Sequence, residues 1–179
     1  MVLRDLLRAH PAGRDWRVGA GVQLVHARTT SRFRRRGDLG SGRAMRPLSD
    51  IAEEYDFLDS DERYRLLIEL GRTLESMPDA LKTDATLVRG CSAAVWVYPT
   101  GDAARLHFLA DSNAAITKGI VALVIAAVQD RPARDIATMD IAAALAPFDL
   151  KNQLSSNRTQ GVPNMIALVQ EHAARIAAA

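Results

Sequence analysis

The chain has 179 residues, of which 48% are hydrophobic and 25% are charged, and its net charge is +2. This composition is typical of one soluble globular domain, and the longest apolar run, residues 119–128, is much shorter than the roughly 20 residues that span a bilayer. The single cysteine, Cys91, excludes an internal disulfide and a thiolate metal cluster. We therefore expect a cytoplasmic protein that does not enter a membrane.

The charge is divided unevenly along the chain. Residues 1–44 contain ten arginines against three aspartates, whereas residues 45–179 contain 13 basic and 18 acidic residues. Residues 29–44 are rich in Arg, Ser, Thr and Gly, a composition that cannot bury enough apolar surface to fold. An organelle transit peptide has a similar composition, and an arm that binds nucleic acid or membrane would use arginines against phosphates.

Few aromatic residues interrupt these arginines, so we favour a third interpretation of residues 1–44. The segment is either a disordered extension or lies upstream of a true start at Met45. We expect neither nucleic acid nor membrane as a partner. The predicted domain then spans residues 45–179.

From Met45 onward, two helices are predicted, with Ser49 and Ser60 as their N-caps. A loop follows, and two apolar stretches on either side of the sequence PTGD then predict an antiparallel hairpin. Cys91 lies just ahead of its first strand.

A long apolar helix is predicted after Asp111 or Ser112, either of which is a good cap, and it ends near Pro132. Shorter helices come next, and the closing helix spans residues 164–178. Helices that flank a small antiparallel sheet define an α+β fold.

Cys91 is the first candidate for chemistry. A lone cysteine is usually a small buried hydrophobe, but its neighbours favour a functional thiol. Gly90 allows a sharp turn, Arg89 supplies a positive charge that favours the thiolate, and a loop gives access to the sulfur.

The sequence limits the reactions that this thiol can perform. A dithiol redox enzyme needs a second cysteine, which the chain lacks. A cysteine hydrolase needs a base within hydrogen-bond reach, and His107 on the second strand is the best candidate. A thiolate alone can still attack the outer sulfur of a persulfide on another protein and carry that sulfur away.

Four stretches, in this order, resemble the SufE/CsdE family of sulfur acceptors for cysteine desulfurases: YRLLIELGRTLESMP, VRGCSAAVWV, LADSNAAITKGIVALVI and LSSNRTQGVPNM. The resemblance covers residues 45–178. It implies an α+β domain similar to the scaffold protein IscU, with an acceptor cysteine on a loop. By position, that acceptor is Cys91.

The resemblance also implies partners. Sulfur would come from SufS, a desulfurase that uses pyridoxal phosphate, and would go to the SufBCD complex for iron–sulfur cluster assembly. We therefore expect the chain to carry no cofactor of its own and to be a sulfur-transfer protein rather than a stand-alone enzyme. Arg158 matches an arginine of the family's C-terminal loop, which is expected near the cysteine or at the desulfurase contact.

The chain departs from the family pattern at Asn113, where a second aspartate is usual, so any role of that carboxylate cannot operate unchanged. Asp111 is more simply explained as a helix cap. The resting thiol is expected to tuck toward an apolar cavity and to swing out for transfer. Two alternatives stay open: a regulator that binds a desulfurase without carrying sulfur, and a hydrolase that depends on His107.

Overall fold

The computed structural model of the chain describes residues 45–153 and 161–179; the predicted extension, residues 1–44, lies outside them. The elements are α1 (Leu48–Phe57), α2 (Ser60–Thr73), β1 (Val95–Gly101), β2 (Leu106–Ser112), α3 (Ala115–Val128), α4 (Ala133–Thr138), α5 (Ile141–Leu145), α6 (Leu150–Gln153) and α7 (Val162–Ala177), with 3-10 turns at Asp79–Leu81 and Ala146–Phe148. The predicted α+β class is confirmed.

Helix α2 begins at a reciprocal cap. The Asp59 carboxylate accepts a hydrogen bond from the Glu62 backbone N–H at 2.9 Å, and the Glu62 carboxylate accepts one from the Asp59 N–H at 3.1 Å. Each carboxylate thus accepts a hydrogen bond from a backbone N–H that has no partner within the helix. The predicted cap at Ser60 is therefore wrong by one residue. The predicted cap at Ser49 is also wrong, because the residue that precedes α1 is Pro47, and no side chain caps this helix.

Strands β1 and β2 form an antiparallel hairpin, as predicted, in which Val95 pairs with Ser112 and Gly101 pairs with Leu106. The side chains of Leu106, Phe108 and Ala110 alternate with more exposed neighbours and are buried. This alternation places one face of the hairpin on the core, because successive strand residues point to opposite faces.

Helix α3 lies at the centre of the core, where it contacts α1, α2, α5 and both strands. It is apolar on nearly all sides and is buried over most of its length. Glycines let α2 and α3 approach each other closely: a Cβ on Gly71 of α2 would lie 2.9 Å from the backbone nitrogen of Gly119 in α3. The two helices thus pack closely against each other in the core.

Helix α7 packs against α4 and contacts β1. Its buried side chains are Met165, Val169 and Ala173. The helix begins at Val162, two residues before the predicted start, because Pro163 is tolerated in the first turn, where its missing N–H has no helical partner. No helix among the described residues is long and apolar enough to cross a membrane.

Candidate functional site

Cys91 lies on the loop of residues 89–94, which we call the cysteine loop. The chain enters it from a short segment that pairs with β1: the Val88 N–H donates to the Val95 carbonyl at 2.8 Å, and Leu87 lies opposite Trp96. At Gly90 the backbone has a φ of +80°, a conformation that favours glycine. The predicted position of Cys91, ahead of the first strand, is confirmed.

The C-terminal end of the cysteine loop is fixed to the end of β2 and the start of α3. The Asn113 side-chain oxygen accepts a hydrogen bond from the Ala94 N–H at 3.1 Å, and the Asn113 N–H donates to the Ala94 carbonyl at 3.2 Å. The Ser112 hydroxyl donates to the same carbonyl at 2.9 Å. Asn113 therefore anchors the loop, and its neutral amide oxygen is sufficient for this contact.

The N-terminal end of the loop is held by α7. The Asn164 side-chain N–H donates to the Arg89 carbonyl at 2.9 Å. A Cβ on Gly90 would overlap the same Asn164 nitrogen, so a side chain at this position would displace Asn164 as well as strain the backbone. Sequence reasoning missed Asn164, because it is far from the cysteine loop in the chain and no local pattern connects the two.

The sulfur of Cys91 is covered by Gly161, the residue that precedes α7. A methyl group on Gly161 would overlap Sγ and would lie 3.0 Å from the Cα and Cβ of Cys91. Cys91 is half-buried and packs against the hydrophobic core. This position matches the tucked resting state that the sequence predicts. Gly161 was also missed, although a glycine directly before a helix start is a visible signal.

Burial raises the pKa of the Cys91 thiol. The charged thiolate is poorly solvated in this position, so the neutral thiol is favoured. The Arg89 side chain is exposed in this conformation, and its effect on the thiolate stays a prediction.

Asp111 is the centre of an ion cluster beside the loop. Its carboxylate contacts the Lys118 ammonium at 2.6 Å and the Lys82 ammonium at 2.8 Å, and it accepts a hydrogen bond from the Ser112 N–H at 2.8 Å. Burial alone would raise the pKa of the Asp111 carboxyl, but these hydrogen bonds outweigh it and hold the pKa below its usual range. The prediction that Asp111 caps α3 is wrong, because the N-cap is Ala114 and makes no side-chain bond.

His107 lies at the other end of the hairpin, where it pairs with Thr100. Strands rise about 3.4 Å per residue, so the stretch from His107 to Ser112 is about 17 Å long. The ring instead lies 2.9 Å from the Glu75 carboxylate and 3.0 Å from the Asp130 carboxylate. The geometry therefore contradicts a hydrolase in which His107 is the base for Cys91.

Arg158, the remaining candidate, lies in residues 154–160, outside the described residues. Its proximity to Cys91 or to a partner stays a prediction. Among the described residues, Gly161 lies against the sulfur, while Asn164 and Asn113 hold the two ends of its loop. This arrangement holds one free thiol in a covered position, on a loop with defined anchors at both ends.

Comparison with solved structures supports the fold. The solution structure of a hypothetical protein from Thermus thermophilus matches 74% of this chain and 96% of its own length, with a TM-score of 0.61 and 13% sequence identity. At that identity the likeness concerns the fold alone.

Sequence comparison identifies the family. Residues 49–173 match the model of the SufE family, described as an Fe-S metabolism associated domain. An uncharacterised SufE-like protein of Rhizobium etli is 35% identical over 75% of this chain and 95% of its own length. A second one, of Rhizobium meliloti, is 36% identical over 72% of this chain and 96% of its own length. The sulfur acceptor protein CsdE of Escherichia coli is 34% identical over 57% of this chain and 70% of its own length. The chain therefore belongs to the SufE family.

Proposed function

We propose that Cys91 accepts a sulfur atom from the persulfide of a cysteine desulfurase and passes it on for iron–sulfur cluster assembly. The observation that carries this proposal is the covered position of the chain's single cysteine on a loop, in a member of the SufE family. A relative of this chain is named as a sulfur acceptor. A carrier needs a thiol that is protected at rest, and the covered position of Cys91 meets that need.

The transfer is a thiol exchange without net oxidation. The Cys91 thiol first loses its proton, and the thiolate attacks the outer sulfur of the donor persulfide. A new S–S bond forms at Cys91, the S–S bond of the donor breaks, and the donor leaves as a thiolate. Cys91 is then a persulfide, and an acceptor thiolate can remove its outer sulfur by the same reaction.

Loop opening must precede this attack. Gly161 lies directly against Sγ, and burial raises the pKa of the thiol, so the covered position shields the sulfur and disfavours its thiolate form. Moving the sulfur into solvent removes the desolvation that disfavours the thiolate. The resting structure thereby limits reactions of Cys91 with thiols and oxidants other than the intended partner.

The proposed partners are a SufS-type desulfurase as the donor and the SufBCD complex as the acceptor. Pyridoxal phosphate would belong to the desulfurase, so this chain acts as a sulfur-transfer protein rather than as a stand-alone enzyme. A reducing cytoplasm is the compartment that suits a carrier with one free thiol.

Intact mass spectrometry tests the proposal. The wild type and Cys91→Ser are each incubated with an active cysteine desulfurase and cysteine, and then with a reductant. We expect the wild type alone to gain sulfur atoms and to lose them on reduction. His107→Gln is a matched control, which should gain sulfur as the wild type does, because His107 is remote from Cys91.

Two outcomes would contradict a carrier. In one, the wild type gains no sulfur while the same desulfurase loads a known acceptor. In the other, Cys91→Ser stimulates cysteine turnover as strongly as the wild type does, which would identify a regulator that binds the desulfurase without carrying sulfur.

A further inference from the structure

We propose that Asn164 is a positioning residue that holds the cysteine loop closed, and that its hydrogen bond to Arg89 must break before Cys91 is exposed. The inference rests on the proposed function only in assuming that Cys91 must reach a partner. The bond itself joins the Asn164 side-chain nitrogen to the Arg89 carbonyl oxygen at 2.9 Å. It connects the start of α7 to the residue two positions before the cysteine.

The two ends of the loop are held differently. At the C-terminal end, Ala94 is fixed by both groups of Asn113 and by the Ser112 hydroxyl, all from the end of β2 or the turn that follows it. At the N-terminal end, the Arg89 carbonyl is held by one side chain of another helix. The Arg89 contact depends on a single side chain and lies next to Gly90, which makes Gly90 the natural hinge.

Asn164 also lies against Gly90. A Cβ on Gly90 would overlap the Asn164 side-chain nitrogen, and Gly90 has a φ of +80°. Since glycine adopts both positive and negative φ readily, the backbone at Gly90 can rotate once the neighbouring side chain withdraws. While Asn164 remains in place, its hydrogen bond holds the Arg89 carbonyl and opposes this rotation.

The bond has a strength suited to this role. Both Asn164 and Arg89 are exposed, so water can replace the lost partner. A neutral hydrogen bond of this kind shifts an equilibrium by about two- to tenfold. Removing it should therefore raise the population of the open loop by about that factor without unfolding the domain.

The test measures the rate at which iodoacetamide alkylates Cys91, the only cysteine of the chain. We expect Asn164→Ala to react about two- to tenfold faster than the wild type, including at the high-pH limit where the thiol is fully ionised. The matched control is Gln170→Ala. Gln170 lies on the same helix and donates the same kind of bond, at 2.9 Å, to the Met139 carbonyl. Its loss should leave the alkylation rate unchanged.

Asn164→Asp separates the loop contact from the stability of α7. Aspartate is favourable in the first turn of a helix but cannot donate to the Arg89 carbonyl. We expect this variant to melt no lower than the wild type and still to be alkylated faster at the high-pH limit. Equal rates for the wild type, Asn164→Ala and Asn164→Asp would overturn the inference, as would an equal increase in Gln170→Ala.

Alkylation needs no desulfurase, so this inference and the proposed function can fail separately. If Asn164→Ala is alkylated faster but no variant gains sulfur, the positioning role stands and the carrier proposal fails. If the wild type gains sulfur but Asn164→Ala is alkylated at the wild-type rate, the carrier proposal stands and the positioning role is wrong.

Discussion

Gly161 covers the sulfur of Cys91 so closely that a methyl group on Gly161 would overlap Sγ and lie 3.0 Å from Cβ. The contact joins the residue before α7 to the cysteine loop. Gly161 has a φ of −81°, which any residue can adopt, so its absence of a side chain serves this close approach rather than the backbone conformation. The cover over the thiol is therefore built from the backbone of Gly161.

Gly161→Ala is expected to displace the cysteine loop. The added methyl group cannot fit beside Sγ, so we expect faster alkylation of Cys91 and a loss of about 1–3 kcal/mol in the free energy of unfolding, as in other overpacked sites. Alkylation kinetics and urea denaturation measure the two effects.

A double-mutant cycle with Cys91→Ala provides the control for this prediction. If the methyl group of Gly161→Ala overlaps mainly with the sulfur, the substitution should lower the free energy of unfolding clearly less in the Cys91→Ala background. The same cost in both backgrounds would show that the methyl group conflicts with something else.

The second prediction concerns the pH dependence of Cys91. Burial raises the pKa of its thiol, so the midpoint of the alkylation rate against pH should lie above that of the same thiol in the urea-unfolded chain, about 8.5. Because the unfolded chain loses this proton first, the folded state should lose stability as pH rises from the unfolded toward the folded pKa. Cys91→Ala should lack this loss. A midpoint below that of the unfolded chain would contradict the covered position.

Local patterns predicted most of the fold. The alternation along β2 and the apolar run of α3 follow from periods that a short window reveals, and both elements form within a few residues of the predicted bounds. The helix starts were less accurate. At α2, both Asp59 and Ser60 are good caps, and only the reciprocal bond with Glu62 selects Asp59.

The candidate site was predicted only where it is local in sequence. The position of Cys91 on a loop follows from its neighbours, but Gly161 and Asn164 come from the start of a distant helix. The contacts of Asp111 were not predicted, for the same reason. A cap is a local interaction that sequence rules describe, whereas the contact with Lys82 depends on the path of a long loop.

The third prediction tests the ion cluster of Asp111. Asp111→Asn should reduce the free energy of unfolding by about 1–2 kcal/mol, because two ammonium groups lose a carboxylate whose side chain is only 15% exposed. Asp79→Asn is the matched control. Asp79 contacts the same Lys82 at 2.9 Å, but its side chain is 95% exposed, so its loss should have little effect. Equal losses in the free energy of unfolding for the two variants would show that the burial of Asp111 does not strengthen its contacts.

The cluster should also respond to acid. The pKa of Asp111 is lower in the folded chain than in the unfolded chain, where an aspartate titrates at about 3.9. Its stabilisation is therefore fully present above that pH and is lost as pH falls toward the folded pKa. Denaturation curves between neutral and acid pH should show a smaller decline in Asp111→Asn than in the wild type.

The last prediction concerns His172 on α7. The Arg175 guanidinium donates to Nδ1 at 3.0 Å, so the proton of the neutral ring lies on Nε2, which is buried without a hydrogen-bond partner among the described residues. Burial and the charge of Arg175 lower the pKa of His172. The unfolded chain therefore binds this proton first, and the folded state should lose stability as pH falls below about 6.5.

His172→Leu removes both the unpaired nitrogen and the titration. We expect the variant to be more stable than the wild type by about 1 kcal/mol at neutral pH. The gain should be larger at acid pH, because only the wild type has a histidine that the unfolded chain protonates more easily than the folded chain does. Calorimetry at two pH values on either side of the histidine pKa measures the difference. A gain that does not grow on acidification would mean that His172 takes up its proton in the folded chain as easily as in the unfolded one.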